Sequence, residues 1–594
     1  MNPVPGVHLH RSGNVPATDA PIRLPATRRD FTATVTLGDW LSAGVVSRLA
    51  PEHAHTQDTD GVAVLFDGYL TDIVGRHQVG RPPASVVLDA YRANGLDCVR
   101  DLRGSFTVLV TDPRTEQAFV LTDRSATRPL FHRANADGSL QVAPEVGPLV
   151  QSGTAPDPVD PVALCEFLLF GSYFADRTLF PSIRKLPAST VMSISRDGQS
   201  VSRYWRIAFT PDPTPRQENE LIEEYDALLR QSVTRRMRCC PTPMLFLSGG
   251  IDSRLMLGSL LREGHRIPVA TYGTEHGDDR SCAASLARKF DLELHQFPLS
   301  ASLARADMLE ISVQSDGRAE MIDTAALVNF VETLATRHGT FFQGDQCFSA
   351  KPAADLDEAL VKLEMLTLDQ APRLSDWLHP ELRRRTTRQL DEGRRALVAE
   401  IRQESTYAVR DTLYVEQRLG NRQNGYSAAW LRSMEQARPW IDEDVVDFVS
   451  RLPPELRVGK PLLRRLYQER YPDMADIPFA QQDSIPLPRD LQAALRSNGE
   501  FARFVRSELC ENLDPRLNAI VQSARIGAVL ASMTAGRPLP PIASGWRDRI
   551  PGVWRLFPHA LDAVHPASLL FRLLQIQLYL RALGNPPQRR QELP

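Results

Sequence analysis

A short loop between an apolar run and a predicted helix carries the clearest chemical signal in the sequence. The stretch PMLFLSGGIDSRLML, residues 243–257, ends its apolar run in Ser248-Gly249-Gly250 and then presents an aspartate and a second serine. Backbone N–H groups at a helix start bind anions, adjacent glycines let the backbone approach a phosphate, and serine hydroxyls add donors. A carboxylate fits there when Mg²⁺ lies between it and the phosphates. The loop therefore predicts binding of a nucleotide and a metal.

Four other interpretations explain this loop less well. A glycine-rich helix cap, with Asp252 stabilising the first turn, accounts for a bare SGG but not for the whole strand–loop–helix unit. The sequence contains no GxxxxGK[ST] and no GxGxxG, so neither a Walker-type kinase nor a dinucleotide site is indicated. Ser248 is not the nucleophile of a hydrolase elbow, because position 246 is Phe where Gly is required.

Composition excludes several classes of function. The 594 residues are 42% apolar and 24% charged with a formal net charge of −3, so no basic excess indicates nucleic acid or an anionic membrane. No run of 18 apolar residues appears, and the first twenty residues lack the layout of a signal peptide. The seven cysteines form no CxxC pair and are typical of reduced thiols. These features predict a cytoplasmic protein with neither nucleic-acid nor membrane partners.

The hydrophobic pattern changes along the chain and predicts several units. Short β-rich runs dominate up to about residue 205, whereas strand, helix and strand then alternate as in a parallel, doubly wound sheet, and helices prevail beyond about 355. The proline-rich FTPDPTPRQ between these regions is the best linker. We predict a poorly ordered N-terminus over 1–30, a first domain over 31–208, a linker over 209–218, an ATP-binding domain over 219–490 and a helical C-terminal extension over 491–594.

Several motifs together resemble the asparagine synthetase family. SGGIDS resembles its pyrophosphate loop, DLRGSFTVLVTDPRTEQAFVLTDRSATRPLFHR (101–133) its N-terminal glutaminase domain, and GTFFQGDQCF (339–348) its second magnesium motif. SMEQARPWIDEDVVDFVSRLPPELRVGKPLLRRLY (433–467) is similar to its helical R-P-x-x-D…K-x-L-R stretch, and the likeness covers roughly 60–490. The resemblance implies an α/β fold: an N-terminal Ntn-hydrolase-like αββα domain, then a doubly wound parallel-sheet ATP-pyrophosphatase domain with a helical C-terminal part.

The resemblance carries over to site residues unevenly. It implies ATP binding by Leu247, Ser248, Gly249, Gly250, Asp252, Ser253, Tyr272 and Gly344, and Mg²⁺ binding by Asp252 and Asp345. Gln346 stands where the family has an acidic neighbour. Asp279, after the strand near which the family binds adenine, is either a further member of this region or a solvated turn carboxylate.

The sequence also departs from the family pattern at the position of the catalytic cation. The family's lysine is missing from DIPFAQQDSIPLP (476–488). Lys460 and Arg464 lie in the matching helix upstream, and each is either the substitute cation or a cation of the helix surface. We take Lys460, with Asp252 and Asp345, as the catalytic set.

The largest departure lies in the N-terminal domain. The family's glutaminase uses an N-terminal cysteine, but this chain begins Met1-Asn2 and its first cysteine is Cys98. Asp67, in FDGYL, replaces an asparagine of the oxyanion hole, and an ionised carboxylate accepts hydrogen bonds without donating them. We therefore expect no glutamine hydrolysis, as in the β-lactam synthetases and lasso-peptide cyclases that this arrangement resembles.

The implied reaction is adenylation of a substrate carboxylate followed by capture of the acyl group by an amine. The most concrete version is a lasso-peptide cyclase in natural-product (antibiotic) biosynthesis, with a precursor peptide and a leader peptidase as partners. The alternatives are an ammonia-dependent asparagine synthetase and an inactive nucleotide-binding scaffold. NRQNGYSAAW (421–430) is a candidate for the acceptor pocket.

Two kinds of residue cluster favour no function. The pairs His8/His10 and His53/His55 are interpreted as solvated histidines in polar loops rather than metal ligands. The arginine-rich helix ELRRRTTRQLDEGRR (381–395) is interpreted as a solvated face rather than a surface for an acidic partner.

Overall fold

In the computed structural model, the described parts of the chain form three β-sheets and an extensive set of helices. The structure describes residues 5–12, 31–73, 80–151, 156–299, 304–348, 351–403, 405–481, 485–486, 488–540 and 563–584. Two of the sheets belong to the N-terminal half of the chain and the third to the C-terminal half.

The N-terminal half contains two antiparallel six-stranded sheets. Its strands are β1 Gly6–Arg11, β2 Phe31–Leu37, β3 Leu41–Ser47, β4 His55–Gln57, β5 Ala63–Ile73, β6 Leu102–Asp112, β7 Gln117–Thr122, β8 Phe131–Ala134, β9 Leu140–Ala143, β10 Ile183–Lys185, β11 Thr190–Ile194 and β12 Gln199–Arg203. One sheet has the order β10-β8-β9-β1-β3-β2 and the other β12-β11-β7-β6-β5-β4.

These two sheets are packed face to face between helices. Leu9 of one sheet and Leu65 of the other share the apolar cluster between them. The helices of this half are α1 Pro51–Ala54, α2 Pro83–Asn94 and α3 Pro161–Phe170. Tyr91 of α2 packs beside Phe66 on the outside of the second sheet, and α3 lies in the cluster that contains Phe131 of the first. The expected αββα layering is confirmed.

The C-terminal half is built on a five-stranded parallel sheet, as predicted. Its strands are β13 Pro243–Phe246, β14 Val269–Gly273, β15 Leu294–Pro298, β16 Thr340–Phe342 and β17 Glu435–Ala437, in the order β15-β14-β13-β16-β17. From β13 the chain proceeds to β14 and β15 on one side and then crosses to β16 on the other. The crevice at the carboxyl ends of β13 and β16 is therefore the switch point at which open parallel sheets bind ligands.

Helices make up most of the rest of the C-terminal half. They are α4 Glu218–Cys239, α5 Ile251–Arg262, α6 Asp279–Lys289, α7 Arg305–Gln314, α8 Leu327–Ala335, α9 Leu356–Lys362, α10 Pro372–Trp377, α11 Pro380–Glu400, α12 Thr406–Leu413, α13 Asn424–Trp430, α14 Glu443–Arg451, α15 Pro454–Arg457, α16 Pro461–Arg470, α17 Pro488–Ser497, α18 Gly499–Arg506, α19 Pro515–Asn518, α20 Ser523–Thr534 and α21 Pro566–Gly584. A π-helix, Tyr414–Gln423, joins α12 to α13.

The last helix, α21, packs back onto the N-terminal half. Most of its side chains are buried, and Arg572 donates to the carbonyls of Leu168 and Leu169 in α3 at 2.8 and 2.9 Å. The helical character predicted for the end of the chain is confirmed over these residues, while 541–562 and 585–594 lie outside the described residues. The five domain limits predicted from the sequence remain predictions.

The N-terminal prediction needs correction. Residues 6–11 are not poorly ordered: they form β1, which pairs with both β3 and β9. His8 and His10 therefore lie in a strand rather than a polar loop, and His55 likewise begins β4. The missed signal is the alternation of Val7 and Leu9 with polar residues, since alternate side chains of a strand face the same side. Residues 1–4 and 13–30 lie outside the described residues.

A buried ion cluster joins the two halves of the chain. The Arg128 guanidinium donates to the carboxylates of Asp67 in β5 and Glu435 in β17. Nearby, the Tyr69 hydroxyl donates to the Gln436 carbonyl at 3.1 Å. The parallel sheet is thus held against the N-terminal half by charged and polar contacts that exclude solvent.

The thiols agree with the sequence interpretation. All seven cysteines are unpaired as disulfides. Among the helices in the described parts of the chain, none has the length and apolar character needed to cross a bilayer.

We predict that His8 contributes to acid lability of the fold. Burial lowers the pKa of His8 to about 4, although the charge of Glu145 opposes this shift. Below pH 6.5 the unfolded chain therefore takes up a proton that the folded protein excludes, and stability falls as the pH drops toward 4, by up to about 3 kcal/mol. Melting temperatures measured from pH 7 to pH 4 should fall less steeply for His8→Leu than for the wild type. The exposed His276→Leu is the matched control and should keep the wild-type slope; equal slopes for His8→Leu and the wild type would refute the prediction.

Candidate nucleotide and metal site

Hydrogen bonds between two serines fix the shape of the SGGIDS loop. The loop follows β13 and ends where α5 begins at Ile251. The Ser253 hydroxyl lies 3.0 Å from the Ser248 hydroxyl and accepts from the Ser248 backbone N–H at 3.1 Å. The Gly250 N–H donates to the Ser248 hydroxyl at 3.2 Å. Ser248 lies in the loop and Ser253 in the first turn of α5, and both hold the backbone rather than only extending hydroxyl donors toward a ligand.

One backbone N–H group of the loop already donates a hydrogen bond to a carboxylate, that of Asp279. The Gly249 N–H donates to Asp279 Oδ1 at 2.5 Å, and Asp279 begins α6 after β14. The first turn of α5 has no side-chain cap, so its N–H groups remain available to an anion. The sequence left Asp279 either as a residue of the nucleotide and metal region or as a solvated turn carboxylate. The structure favours the first interpretation, because the carboxylate contacts the loop that a phosphate would approach.

The other residues predicted to bind nucleotide surround this loop. A Cβ built on Gly344 would lie 3.5 Å from the Ser253 backbone nitrogen, so the turn after β16 packs against the start of α5. Tyr272, near the end of β14, packs edge-on against Phe246 of β13. The Leu247 side chain is buried in the apolar core, which leaves only its backbone for a ligand. The roles of these residues toward a nucleotide remain predictions.

The two predicted metal ligands face one buried region together with two cations. Lys460 Nζ donates to Asp252 Oδ2 at 2.7 Å, and Arg438 Nη2 lies 3.4 Å from Asp345 Oδ2. Gln343 Nε2 donates to the same Asp345 oxygen at 2.6 Å. Of the two cations weighed from the sequence, the structure brings Lys460 to the site, whereas Arg464 is a donor to the Gly459 carbonyl.

The electrostatics of these carboxylates suit a divalent cation. Burial raises the pKa of Asp345, and the negative charge of Asp252 raises that pKa further, against the opposing charge of Arg438. Asp252 Oδ1 is buried and accepts no hydrogen bond, which leaves an oxygen free for a metal. Mg²⁺ typically takes one or two carboxylates and completes its shell with phosphate oxygens and water. The residues therefore fit a magnesium ion, which Asp252 and Asp345 would hold.

Gln346, which stands where the family has an acidic neighbour in the second motif, makes hydrogen bonds within its own turn. Gln346 Nε2 donates to the Phe348 carbonyl at 2.9 Å, and its oxygen accepts from the Phe348 N–H. Its amide is thus satisfied within its own turn. Among the described residues, no group of three or more His, Cys, Asp or Glu side chains could hold a metal. The site consequently offers two carboxylates, and other ligands must come from the substrate or water.

The segment that lacks the expected lysine lies directly on the nucleotide loop. We call residues 477–481 the cover segment. Ala480 N–H donates to the Gly249 carbonyl at 3.2 Å, and Gln481 N–H donates to Asp278 Oδ2 at 3.0 Å. Arg254 of α5 donates to two carbonyls of the segment and stacks over the Phe479 ring at 4.4 Å. The cover segment therefore restricts access to the loop from one side.

Two residues beside the carboxylates were not selected from the sequence. Arg438 stands in the ARPWID motif, and its position directly after a short strand was an available signal. Tyr414 opens the π-helix, and its pKa is raised by burial and by the charges of Asp345 and Asp252. Nothing in the local sequence marks Tyr414, although π-helical turns often occur at functional sites.

Two family models match the chain. A glutamine amidotransferase domain matches residues 75–205, and an asparagine synthase domain matches residues 224–475. Together they cover more than half of the chain. The second match contains β13 through α16 and all the residues of the site described above except those of the cover segment.

Curated relatives show partial similarity. The chain is 26% identical over 229 residues to the amidase chyE of Penicillium rubens, covering 36% of this chain and 33% of that protein. It is 27% identical over 224 residues to asparagine synthetase [glutamine-hydrolyzing] 2 of Bacillus subtilis, covering 36% of this chain and 30% of that protein. The chain thus spans about a third of the length of these relatives.

Similarity to solved structures is weak. A glutamine phosphoribosylpyrophosphate amidotransferase from B. subtilis aligns with a TM-score of 0.19 and 12% identity, over 45% of this chain and 54% of that one. This value is too low to support any inference about the present fold.

We predict that a methyl group at residue 249 disrupts the loop, whereas one at residue 250 does not. A Cβ on Gly249 would lie 2.5 Å from the Ala480 Cβ and 3.0 Å from the Ala480 nitrogen, so the cover segment must move. A Cβ on Gly250 meets only the Ser248 hydroxyl, at 3.4 Å. Gly249→Ala should cost about 1–3 kcal/mol of stability and weaken ATP binding, while Gly250→Ala should cost less than about 1 kcal/mol. Thermal unfolding and ATP titration calorimetry measure both effects, and indistinguishable variants would contradict the geometry.

Proposed function

Because the chain belongs to the asparagine synthetase family, we propose that it is an ATP-dependent ligase that activates a substrate carboxylate and joins it to an amine. The observation that supports this most directly is the convergence of Asp252 and Asp345 beside the SGGIDS loop. They follow neighbouring strands of the parallel sheet, and each has a cation next to it. An inactive scaffold would not require this balanced arrangement.

The proposed first step couples the substrate acid to AMP. A carboxylate is a poor acyl donor, so its oxygen attacks the α-phosphorus of ATP and pyrophosphate leaves. The N–H groups at the start of α5 bind the phosphate oxygens on which charge accumulates. Asp252 and Asp345 would hold Mg²⁺, whose charge offsets that of the phosphates when it is bound.

Lys460 and Arg438 are proposed to control the charge around this reaction. Lys460 contacts Asp252 at 2.7 Å, so its ammonium lies at the same edge of the sheet as the phosphates. Arg438 counteracts the burial of Asp345 and thereby favours its ionised, metal-binding form. Lys460 thus takes the place of the family lysine that the cover segment lacks.

The amine is proposed to come from the substrate itself. Asp67 accepts from Ser47 at 3.2 Å and from Arg128, so its carboxylate is engaged in the ion cluster at the contact between the halves. This supports the expectation that the N-terminal half does not hydrolyse glutamine. The amine attacks the acyl carbon of the acyl-adenylate, so that a C–N bond forms, the bond to the AMP oxygen breaks and AMP leaves. Holding an acid and its own amine together favours this lactam formation through proximity. Macrolactam closure of a lasso precursor peptide, with a leader peptidase as a partner enzyme, is the most specific form of this proposal.

An ATP–pyrophosphate exchange assay separates the possibilities. Exchange with peptide acids that carry their own amine, and amide formation without added ammonia, would support the proposed lactam synthetase. Exchange with aspartate alone, and asparagine formation from free ammonia, would support the alternative. No exchange with any acid would refute a ligase and favour the scaffold.

We predict that Asp345→Asn removes exchange without unfolding the protein. The amide cannot supply the charged oxygen, and a metal contributes several kcal/mol to such a step, so the rate should fall at least about 100-fold. The asparagine still offers an oxygen to Gln343, but it leaves the buried Arg438 without its carboxylate, so the melting temperature should fall although the protein remains folded. The exposed Asp39→Asn should retain wild-type exchange. Full exchange by Asp345→Asn would refute the metal assignment.

A further inference from the structure

The stretch 421–430, a candidate for the acceptor pocket, lies between the predicted metal site and a further acidic residue. Its last seven residues form α13, which precedes β17. The Ser427 hydroxyl donates to Gln343 Oε1 at 3.1 Å, and Gln343 Nε2 donates to Asp345 Oδ2 at 2.6 Å. One side of α13 is therefore joined to the metal site through a single glutamine.

The first turn of α13 packs against the segment that carries Asp323. A Cβ built on Gly425 would lie 2.7 Å from the Ala319 Cβ, so this turn and the segment are in close contact. Asp323 follows in the 3-10 helix Ile322–Thr324, whose start is fixed by hydrogen bonds to a glutamine of α21. The backbone around Asp323 is thus held between α13 and α21.

The order of the elements places Asp323 at the same edge of the parallel sheet as the nucleotide loop. After β15 the chain passes through Asp323 into α8, the last helix before β16, which leads back to the amino end of that strand. The residues just before α8 therefore lie at the carboxyl edge, as the SGGIDS loop does before α5. Tyr272, near the end of β14, agrees with this placement, because burial and the charges of Asp279, Asp323 and Asp345 raise the pKa of Tyr272 to about 12.

Asp323 has an unused hydrogen-bond acceptor. Its side chain is half-buried, and among the described residues no donor reaches its Oδ1, which is itself buried. The two arginines whose charges act on it contact other carboxylates: Arg572 lies 2.7 Å from Glu320, and Arg422 pairs with Glu320 and Glu364. A buried carboxylate oxygen without a donor costs free energy that an N–H group of a ligand would recover.

The surroundings of this carboxyl group allow it to exchange a proton near neutral pH. Burial and the charge of Glu320 raise the pKa of Asp323 to about 7, against the opposing charges of Arg422 and Arg572. The Tyr426 hydroxyl, from α13, stays protonated, because burial and the charges of Asp323 and Glu320 raise its pKa well above the usual value. A general base works best when its pKa lies near the working pH. Asp323 can therefore both accept and release a proton at that pH.

We propose that Asp323 binds the attacking amine and takes its proton in the second step of the reaction. A neutral amine nitrogen forms a bond to the acyl carbon, the bond from that carbon to the AMP oxygen breaks, and AMP leaves. The proton that the nitrogen loses passes to the Asp323 carboxylate and from there to water. This inference rests on the proposed function, and it assigns the amine to the region bordered by Tyr272, Asp323 and Tyr426.

Separate measurement of the two steps in the full chain tests this assignment. The probes are peptides that carry an aspartate or glutamate side chain and a free N-terminus; mass spectrometry follows lactam formation, and ATP–pyrophosphate exchange follows the first step. Asp323→Asn should lower the rate of lactam formation about 100-fold or more, as expected for the loss of a general base. Its exchange rate should stay within about threefold of the wild type, because the first step does not involve the amine.

Hydroxylamine distinguishes a defect in proton removal from other defects of the second step. It is a weaker base than an alkyl amine, so after attack its nitrogen loses the proton to water without help from a carboxylate. Hydroxamate formation by Asp323→Asn should therefore stay within about threefold of the wild type. Asp323→Glu keeps a carboxylate and should recover part of the lactam formation. Loss of hydroxamate formation together with lactam formation would refute proton removal by Asp323.

Asp369→Asn is the matched control for this substitution. Asp369 is likewise the second residue of a 3-10 helix, Leu368–Gln370, but it is exposed. The control variant should behave as the wild type in the exchange, lactam and hydroxamate assays.

The remaining outcomes separate this inference from the proposed function. An Asp323→Asn variant that forms lactam at the wild-type rate would refute the role of Asp323 and leave the ligase intact. A variant that loses exchange as well would also refute it, since the residue would then act before the amine does. If only aspartate supports exchange, asparagine formation from ammonia replaces lactam formation in the same comparison. No exchange with any acid by the wild type would overturn the ligase and this inference together.

Discussion

Two partly buried carboxylates held close together impose the constraint around which the site is organised. The charge of Asp252 adds to burial in raising the pKa of Asp345, so ionising both costs free energy. Lys460 beside Asp252 and Arg438 beside Asp345 offset this cost from two different elements of the chain. The oxygen of Asp252 that accepts no hydrogen bond shows that the compensation is incomplete. A divalent cation would complete the charge compensation by binding this oxygen. The need to compensate the two carboxylates therefore accounts for both the free oxygen and the metal chemistry proposed here.

Much of this arrangement could be predicted because it follows from local rules. Strand ends in a parallel sheet meet at one edge, so a loop after β13 and a turn after β16 place Asp252 and Asp345 together. The sequence also indicated Lys460, but could not separate it from Arg464, since both lie near the start of one helix. In the structure Lys460 lies just before α16, in a left-handed backbone conformation, and contacts Asp252, whereas Arg464 lies within the helix and donates to the Gly459 carbonyl.

The remaining residues could not be predicted because they depend on contacts between distant parts of the chain. Asp279 meets Gly249 across thirty positions, and Ser427 meets Gln343 across 84. No periodicity or motif encodes such pairs. The missed strand β1 has another cause, because its six residues alternate correctly but stand among prolines and polar residues that obscure the pattern.

The contact between the halves gives the N-terminal half a role that does not need a nucleophile. The Asp67 carboxylate accepts a hydrogen bond from Arg128, and Arg128 in turn donates to Glu435 on the edge strand β17. Arg438 follows that strand by one residue, so the ion cluster fixes the element from which Arg438 extends toward Asp345. Asp67, whose carboxylate is expected to prevent glutamine hydrolysis, thereby helps to position the charges on which the proposed ligase depends.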